Sequence, residues 1–161
     1  MNQYKIAVCL SGQTRTFDYC KESILEFFPN CDFYCHTYDY NSYHEPKVEP
    51  IFDNWNDDVI NDIKHTLNPV DLQITTREES ENIFKSMGWN GDEKQINNYS
   101  MIYSIQQSFN YDFSNYDFVV KSRFYVIHSP QQTIMDYLPS EINDFGFYKY
   151  NYHDTDFAFN E

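Results

Sequence analysis

The stretch YKIAVCLSGQTRT, residues 4–16, decides the fold. Tyr4 to Leu10 form a continuous apolar run that stops at Ser11-Gly12. A run without alternation suits a strand buried on both faces, as in a parallel sheet covered by helices. Helical spacing follows at once: Phe17, Cys20, Ile24, Phe27 and Phe28 recur at intervals of three and four until Pro29-Asn30 stops the helix. Asp32 to Tyr38 (DFYCHTY) is aromatic and β-prone, so the chain opens with a β-α-β unit.

Further along, Asn41 to Pro50 carries two prolines and reads as a loop. A short helix is expected at Asp57 to Leu67, with Val59, Ile60, Ile63 and Leu67 on one side and Asn68-Pro69 as its stop. Val70, Leu72 and Ile74 alternate with Asp71, Gln73 and Thr75, which predicts a third strand. Thr76 with Glu79 is a capping-box pair that opens a helix to about Met87, closed by Gly88. After a turn at Trp89 to Lys94, a long helix from Gln95 to about Tyr111 is expected to bury Ile96, Tyr99, Ile102, Tyr103 and Phe109. Asp117 to His128 reads as the second strong strand, Ser129-Pro130 as the start of a short helix to Leu138, and Phe145 to Tyr150 as a last strand. Strands alternating with helices predict an α/β fold in one domain, residues 1–161: a mainly parallel sheet flanked by helices. Ligands of such sheets bind beyond the carboxyl ends of the strands, so the loops at Ser11 to Thr16, at Thr37 to His44 and from Lys121 onward matter most.

Composition narrows the partners. The formal net charge is −14, which repels phosphate backbones and disfavours nucleic acid and anionic membrane surfaces. The low mean hydropathy arises from Asn, Asp, Gln and Tyr, while 41% hydrophobic residues suffice for a core. The apolar run near the start is too short for a signal peptide or a transmembrane segment, so the expectation is an intracellular, cytoplasmic chain with reduced thiols at Cys9, Cys20, Cys31 and Cys35. On one strand Cys31 and Cys35 would stand roughly 13 Å apart, too far for a disulfide or a shared metal. The 15 Tyr and 14 Phe would permit a homo-oligomeric interface without demanding one.

With so few cations, each is informative. Ser11-Gly12-Gln13-Thr14-Arg15-Thr16 places a glycine, hydroxyls, an amide and an arginine before a helix, an arrangement that can meet an anion. It lacks the glycine spacing of a P-loop or a dinucleotide fingerprint, and the plainer alternative is a strand-to-helix turn with Thr16 as N-cap. Lys121, Arg123 and Tyr125 alternate onto one strand face, where two cations need an anionic ligand or ion pairs with nearby Asp and Glu. Asp154-Thr155-Asp156 has the spacing of a Mg²⁺ or Mn²⁺ grip, a spacing that also arises by chance in an Asp-rich chain. His36, on a buried strand, has the setting of a hydrogen-bonded core residue.

The segments IAVCLSGQTRTFDYC, CDFYCHTYD, NNYSMIYSI, YDFVVKSRFYV and DTDFAFN, in this order, resemble the landmarks of a GT-A-type glycosyltransferase-like family of bacterial surface-polysaccharide clusters, large viruses and phages. Members open with a strand ending in Ser-Gly-Gln-x-Arg, continue to a strand ending near His-Thr-x-Asp, and carry Arg-x-Asp on a later strand. The resemblance implies a Rossmann-like nucleotide-sugar-binding architecture. It places Ser11, Gly12, Gln13 and Arg15 at the nucleotide pocket, His36, Tyr38 and Asp39 at the end of the second strand, Ser100 and Tyr103 facing the same cleft, and Arg123 as the family's strand arginine. Where members have Asp two residues after that arginine, this chain has Tyr125, which at neutral pH cannot replace a carboxylate as a hard-cation ligand. Relatives also continue past the DTDFAF-like segment, so a shortened form or a fragment is expected.

Two functions follow. The first is transfer of a sugar from a nucleotide-diphosphate donor to a glycan or other hydroxyl acceptor. Arg15, Lys121, Arg123 or a metal on Asp154 and Asp156 would neutralise the leaving group, and Asp39 or Asp154 would position the acceptor. The second is a catalytically silent domain that keeps the fold as a binding or interaction module.

Overall fold

Every position from Ile6 to Ser11 is buried, because this strand lies between two parallel partners in a sheet covered on both faces. The computed structural model describes residues 4–14, 16–43, 51–54, 57–128, 131–136 and 138. The elements are β1 (Ile6–Ser11), α1 (Phe17–Phe27), β2 (Asp32–Tyr38), β3 (Tyr40–Tyr43), β4 (Ile51–Asn54), α2 (Asp57–Leu67), β5 (Asp71–Thr75), α3 (Arg77–Ser86), α4 (Ile96–Gln107) and β6 (Phe118–Ser122). Short 3₁₀ turns sit at Glu93–Gln95 and Ile134–Asp136. Four strands form one parallel sheet in the order β5-β2-β1-β6, an α/β, Rossmann-like arrangement. The chain steps outward from β1 through β2 to β5, then crosses back to place β6 on the other side of β1.

The sheet's two faces differ. Alternate residues Ile6, Val8, Leu10, Phe33 and Cys35 meet Phe17, Cys20, Ile24 and Phe27 of α1 and Ile63 and Leu67 of α2 in a continuous apolar core. On the opposite face Tyr38, with Tyr40, packs against Phe84, Trp89 and Ile96, with Tyr99 and Tyr103 at the margin. All four cysteines are free thiols, and Cys9, Cys20 and Cys35 are buried. Burial pushes the Cys9 and Cys31 thiols up to about 11 and raises those of Cys20 and Cys35 as well.

The capping box of α3 forms as its sequence predicts: Glu79 N–H donates to Thr76 Oγ1 at 3.2 Å, and Thr76 N–H donates to the Glu79 carboxylate at 2.9 Å. At the other end Gly88, at φ 100°, turns the chain so that its N–H donates to Lys85 O and that of Trp89 to Phe84 O, closing a Schellman motif.

Four expectations are corrected. Residues 41–43, read as loop, belong to β3, paired antiparallel with β4; the four residues Tyr-Asn-Ser-Tyr do not alternate, so period-2 reasoning gives no strand signal there. Thr16 makes no side-chain cap; its hydroxyl lies 3.8 Å from Cys20 Sγ instead. The strand expected to reach His128 ends at Ser122, and Phe124 and Tyr125 lie in a turn. Helix α4 keeps Ile96 inside but leaves Ile102 and Phe109 exposed, burying Ser100 and Ser104 instead, with Ser108 just past its end. The tyrosine rings of β2 and β3 fill the space beneath α4, so only small residues fit against them, and their hydroxyls find partners there. Ser129, Pro130 and the strand expected at Phe145 to Tyr150 lie outside the described residues. Among the described residues no helix is long and apolar enough to cross a membrane.

Candidate functional site: a cationic cleft where the strand order reverses

Ligands of open parallel sheets favour the point where strand order reverses, because the loops leaving the two flanking strands part there and leave a crevice. Here that point lies between β1 and β6. A small cleft open to solvent, with a cavity volume of about 50 Å³, sits there, lined from β1 and its loop by Ser11, Gly12 and Gln13. Its other walls are Ser100, Met101 and Ile105 of α4, and Lys121, Arg123 and Tyr125.

The sheet register sets these positions. Cys9 lies beside Lys121 and Leu10 beside Ser122, so the cations emerge level with the end of β1. Gly12 N–H donates to His36 O at 3.1 Å, which carries the turn out of β1 against β2. Gly12 has φ 113°, in the region that favours glycine, and a Cβ there would meet nothing within 4 Å. Backbone torsion rather than crowding therefore selects glycine. Gln13 is buried, and its Nε2 reaches Asn97 Oδ1 at 3.5 Å, tying the loop to the first turn of α4.

The electrostatics are those of an anion seat. Lys121 Nζ donates to Ser122 O at 2.6 Å, and Arg123 Nη1 donates to Tyr125 Oη at 2.7 Å with Nη2 3.4 Å from Met101 Sδ. Among the described residues neither cation pairs with a carboxylate. Surrounding protein and then the Arg123 guanidinium lower the Lys121 pKa to about 8, although part of its side chain stays open to water. An anion between the two would relieve that repulsion. Ser11 Oγ, on a residue 3% exposed, is buried without a hydrogen-bond partner at the cleft floor.

The cleft thus gathers Ser11, Gly12, Gln13, Ser100, Lys121, Arg123 and Tyr125 from the sequence-predicted set. It does not gather the others. His36 is buried behind the wall, its Nε2 2.9 Å from Thr75 Oγ1 and its ring edge-on to Tyr38 and Tyr103; burial and then Lys121 lower its pKa to about 4, so it is neutral at pH 7. Tyr38 is buried too, donating to Ser100 O at 2.6 Å and accepting from Ser104 Oγ at 3.0 Å. Tyr103 packs against His36 and Phe84. Asp39 sits at the N-terminal end of α3, where burial raises its carboxyl pKa and the Arg77 backbone N–H opposes that rise. His36 and Tyr38 therefore support the cleft's inner wall through α4 without reaching a ligand in it. Arg15, Asp154 and Asp156 lie outside the described residues.

Asn97, Met101, Ser104 and Ile105 also line the cleft and were not anticipated. Asn97 and Ser104 stand three and four residues from Ser100 on one helix face, so that serine held the signal for them, whereas Met101 and Ile105 lie on the adjoining exposed face. For a divalent cation the described cleft residues do not fit: they offer two cations and neutral donors, and the Tyr125 hydroxyl is held by Arg123. Among the described residues no group of three or more His, Cys, Asp or Glu could hold a metal ion. No protein-family model, curated protein or solved structure matches the chain.

Proposed function

We propose that the protein is a glycosyltransferase that moves a sugar from a nucleotide-diphosphate donor to a hydroxyl acceptor. The observation that carries this reading is the convergence of Lys121, Arg123 and the unpartnered Ser11 hydroxyl on one cleft at the strand-order reversal of a parallel sheet. In the transfer, an acceptor hydroxyl oxygen bonds to the anomeric carbon, and the bond from that carbon to the diphosphate oxygen breaks. The electron pair leaves with the diphosphate, and the hydroxyl proton passes to a base. Lys121 and Arg123 supply fixed positive charge where the negative charge develops, which lowers the barrier because they need not reorganise. No carboxylate lines the cleft among the described residues, so none of these lining residues supplies that base.

Thermal unfolding with UDP-, GDP-, CMP- and dTDP-sugars, with and without Mn²⁺, tests the reading. One donor class should raise the melting temperature, with about 2.7 kcal/mol of stabilisation at a hundred times its Kd. Arg123→Ala should remove most of that shift, and donor affinity should weaken as pH rises through about 8 and Lys121 loses its proton. Absence of a shift with every donor overturns the proposal. The rival, a silent binding domain, draws on Tyr125 standing where related transferases carry a carboxylate; a donor that binds yet is neither transferred nor hydrolysed would favour it.

A further inference from the structure

Helix α4 is amphipathic in the reverse sense, with Ser100 and Ser104 buried and Met101, Ile102 and Ile105 exposed. Met101 and Ile105 line the cleft, and Phe109, four residues further and just past the helix end, is 68% exposed. Met101 and Ile105 lie four residues apart on one face of α4, about 6 Å at 1.5 Å per residue, and exposed Phe109 follows in the turn beyond the helix. Val119, also exposed, projects from the same face of β6 as Lys121, two residues before it. From Gln95 to Tyr111 the sequence has no charged residue, although the whole chain carries −14. At the cleft end this apolar surface meets the cations directly, since Arg123 Nη2 is 3.4 Å from Met101 Sδ.

An uncharged apolar track that begins at a pair of cations matches an amphiphile with a negative head and a hydrocarbon tail. We propose that the cleft and the outer face of α4 together bind a phosphate-headed lipid. Its head lies between Lys121 and Arg123 within reach of Ser11 Oγ, and its chain lies along Met101, Ile105 and Phe109. The charges select this occupant: an acidic partner surface would have to bury its carboxylates on the neutral track, and an uncharged lipid would leave the two cations unanswered. The inference shares with the transferase reading only the anion-binding role of Lys121 and Arg123.

Titration calorimetry of the full chain with inorganic phosphate, hexyl phosphate and dodecyl phosphate, each below its micelle concentration, provides the test. Dodecyl maltoside serves as the uncharged amphiphile. Dodecyl phosphate should bind at least about tenfold tighter than hexyl phosphate, since bedded methylenes contribute additively. Phe109→Ser, at an exposed position outside the cleft lining, should erase the chain-length dependence and leave inorganic phosphate binding unchanged. Tyr19→Ser, at an α1 position 83% exposed, should change nothing. Equal affinities for the three phosphates overturn the proposal and mean that protein covers this apolar surface, whether a second copy or another part of this chain. Dodecyl maltoside binding as tightly as dodecyl phosphate also overturns it. Alkyl phosphate binding without any response to nucleotide sugars would leave this inference standing and remove the transferase reading alone.

Discussion

The two faces of the sheet are built by different means. Against α1 and α2 the contact is hydrocarbon on hydrocarbon, with Phe27 edge-on to Phe28 at 4.8 Å and Phe17 edge-on to Phe124 at 5.8 Å. Against α4 the contact is directional: Tyr38 donates to Ser100 O, Ser104 donates to Tyr38, and Cys9 Sγ reaches Ser108 O at 3.5 Å. An apolar face is held by area and tolerates small displacements, whereas a hydrogen-bonded face fixes one relative position. Only the second face adjoins the cleft. The difference teaches that stability and site geometry are carried by separate layers of one small domain.

The largest effect should come from the apolar layer. Phe27→Ala empties a site 2% exposed and should cost about 3–5 kcal/mol in urea unfolding, while leaving donor affinity unchanged in the protein that remains folded. A loss below about 1 kcal/mol would show that this layer is not where stability resides. Next comes acid sensitivity, which both layers share. His36 on the polar side and His128, stacked on Phe27 at 4.3 Å on the other, are both lowered to about 4, chiefly by burial. The unfolded chain therefore binds more protons below its ordinary histidine pKa of about 6.5. Stability is complete above about pH 6.5 and falls as pH drops toward 4, by about 2 kcal/mol per histidine at pH 5. Urea midpoints at pH 7.5 and pH 5, for the protein and for His36→Gln and His128→Phe, would apportion the loss; a midpoint independent of pH would contradict the burial of both rings. The smallest effect, about 1–3 kcal/mol, belongs to Tyr38→Phe, which leaves Ser100 O without its donor and Ser104 Oγ without its acceptor. Despite its smaller cost, this substitution should weaken donor binding where Phe27→Ala does not, because it frees the wall formed by α4. Equal effects of the two on affinity would break the comparison.

Most of the fold was legible because its strongest signals were long and unmixed. The apolar run ending at Ser11, the spacing of α1 and the Thr76–Glu79 cap each specify one element with little competition from tertiary context. The face of α4 was not legible. Its isoleucines and phenylalanine suggest one buried side, but the tyrosines that decide which side fits beneath it lie some sixty residues earlier in the chain. The site was legible in part for the same reason. Ser11, Gly12, Gln13, Lys121 and Arg123 could be placed from strand ends alone, whereas Met101 and Ile105 required knowing that α4 is turned outward. The resemblance placed His36 and Tyr38 at the pocket, whereas the reading of His36 as a hydrogen-bonded core residue, from its place on a buried strand, agrees with the structure.

The thiols described with the fold give each layer its own chemical reporter. Only a thiolate alkylates readily, and burial keeps all four cysteines protonated at neutral pH. Cys20 sits on the buried face of α1 in the hydrocarbon layer, and Cys9 lies under the C-terminal end of α4. Labelling at Cys9 before Cys20 would record a breathing motion that lifts α4 alone, and simultaneous labelling would record loss of the whole domain, with no engineered probe in either case.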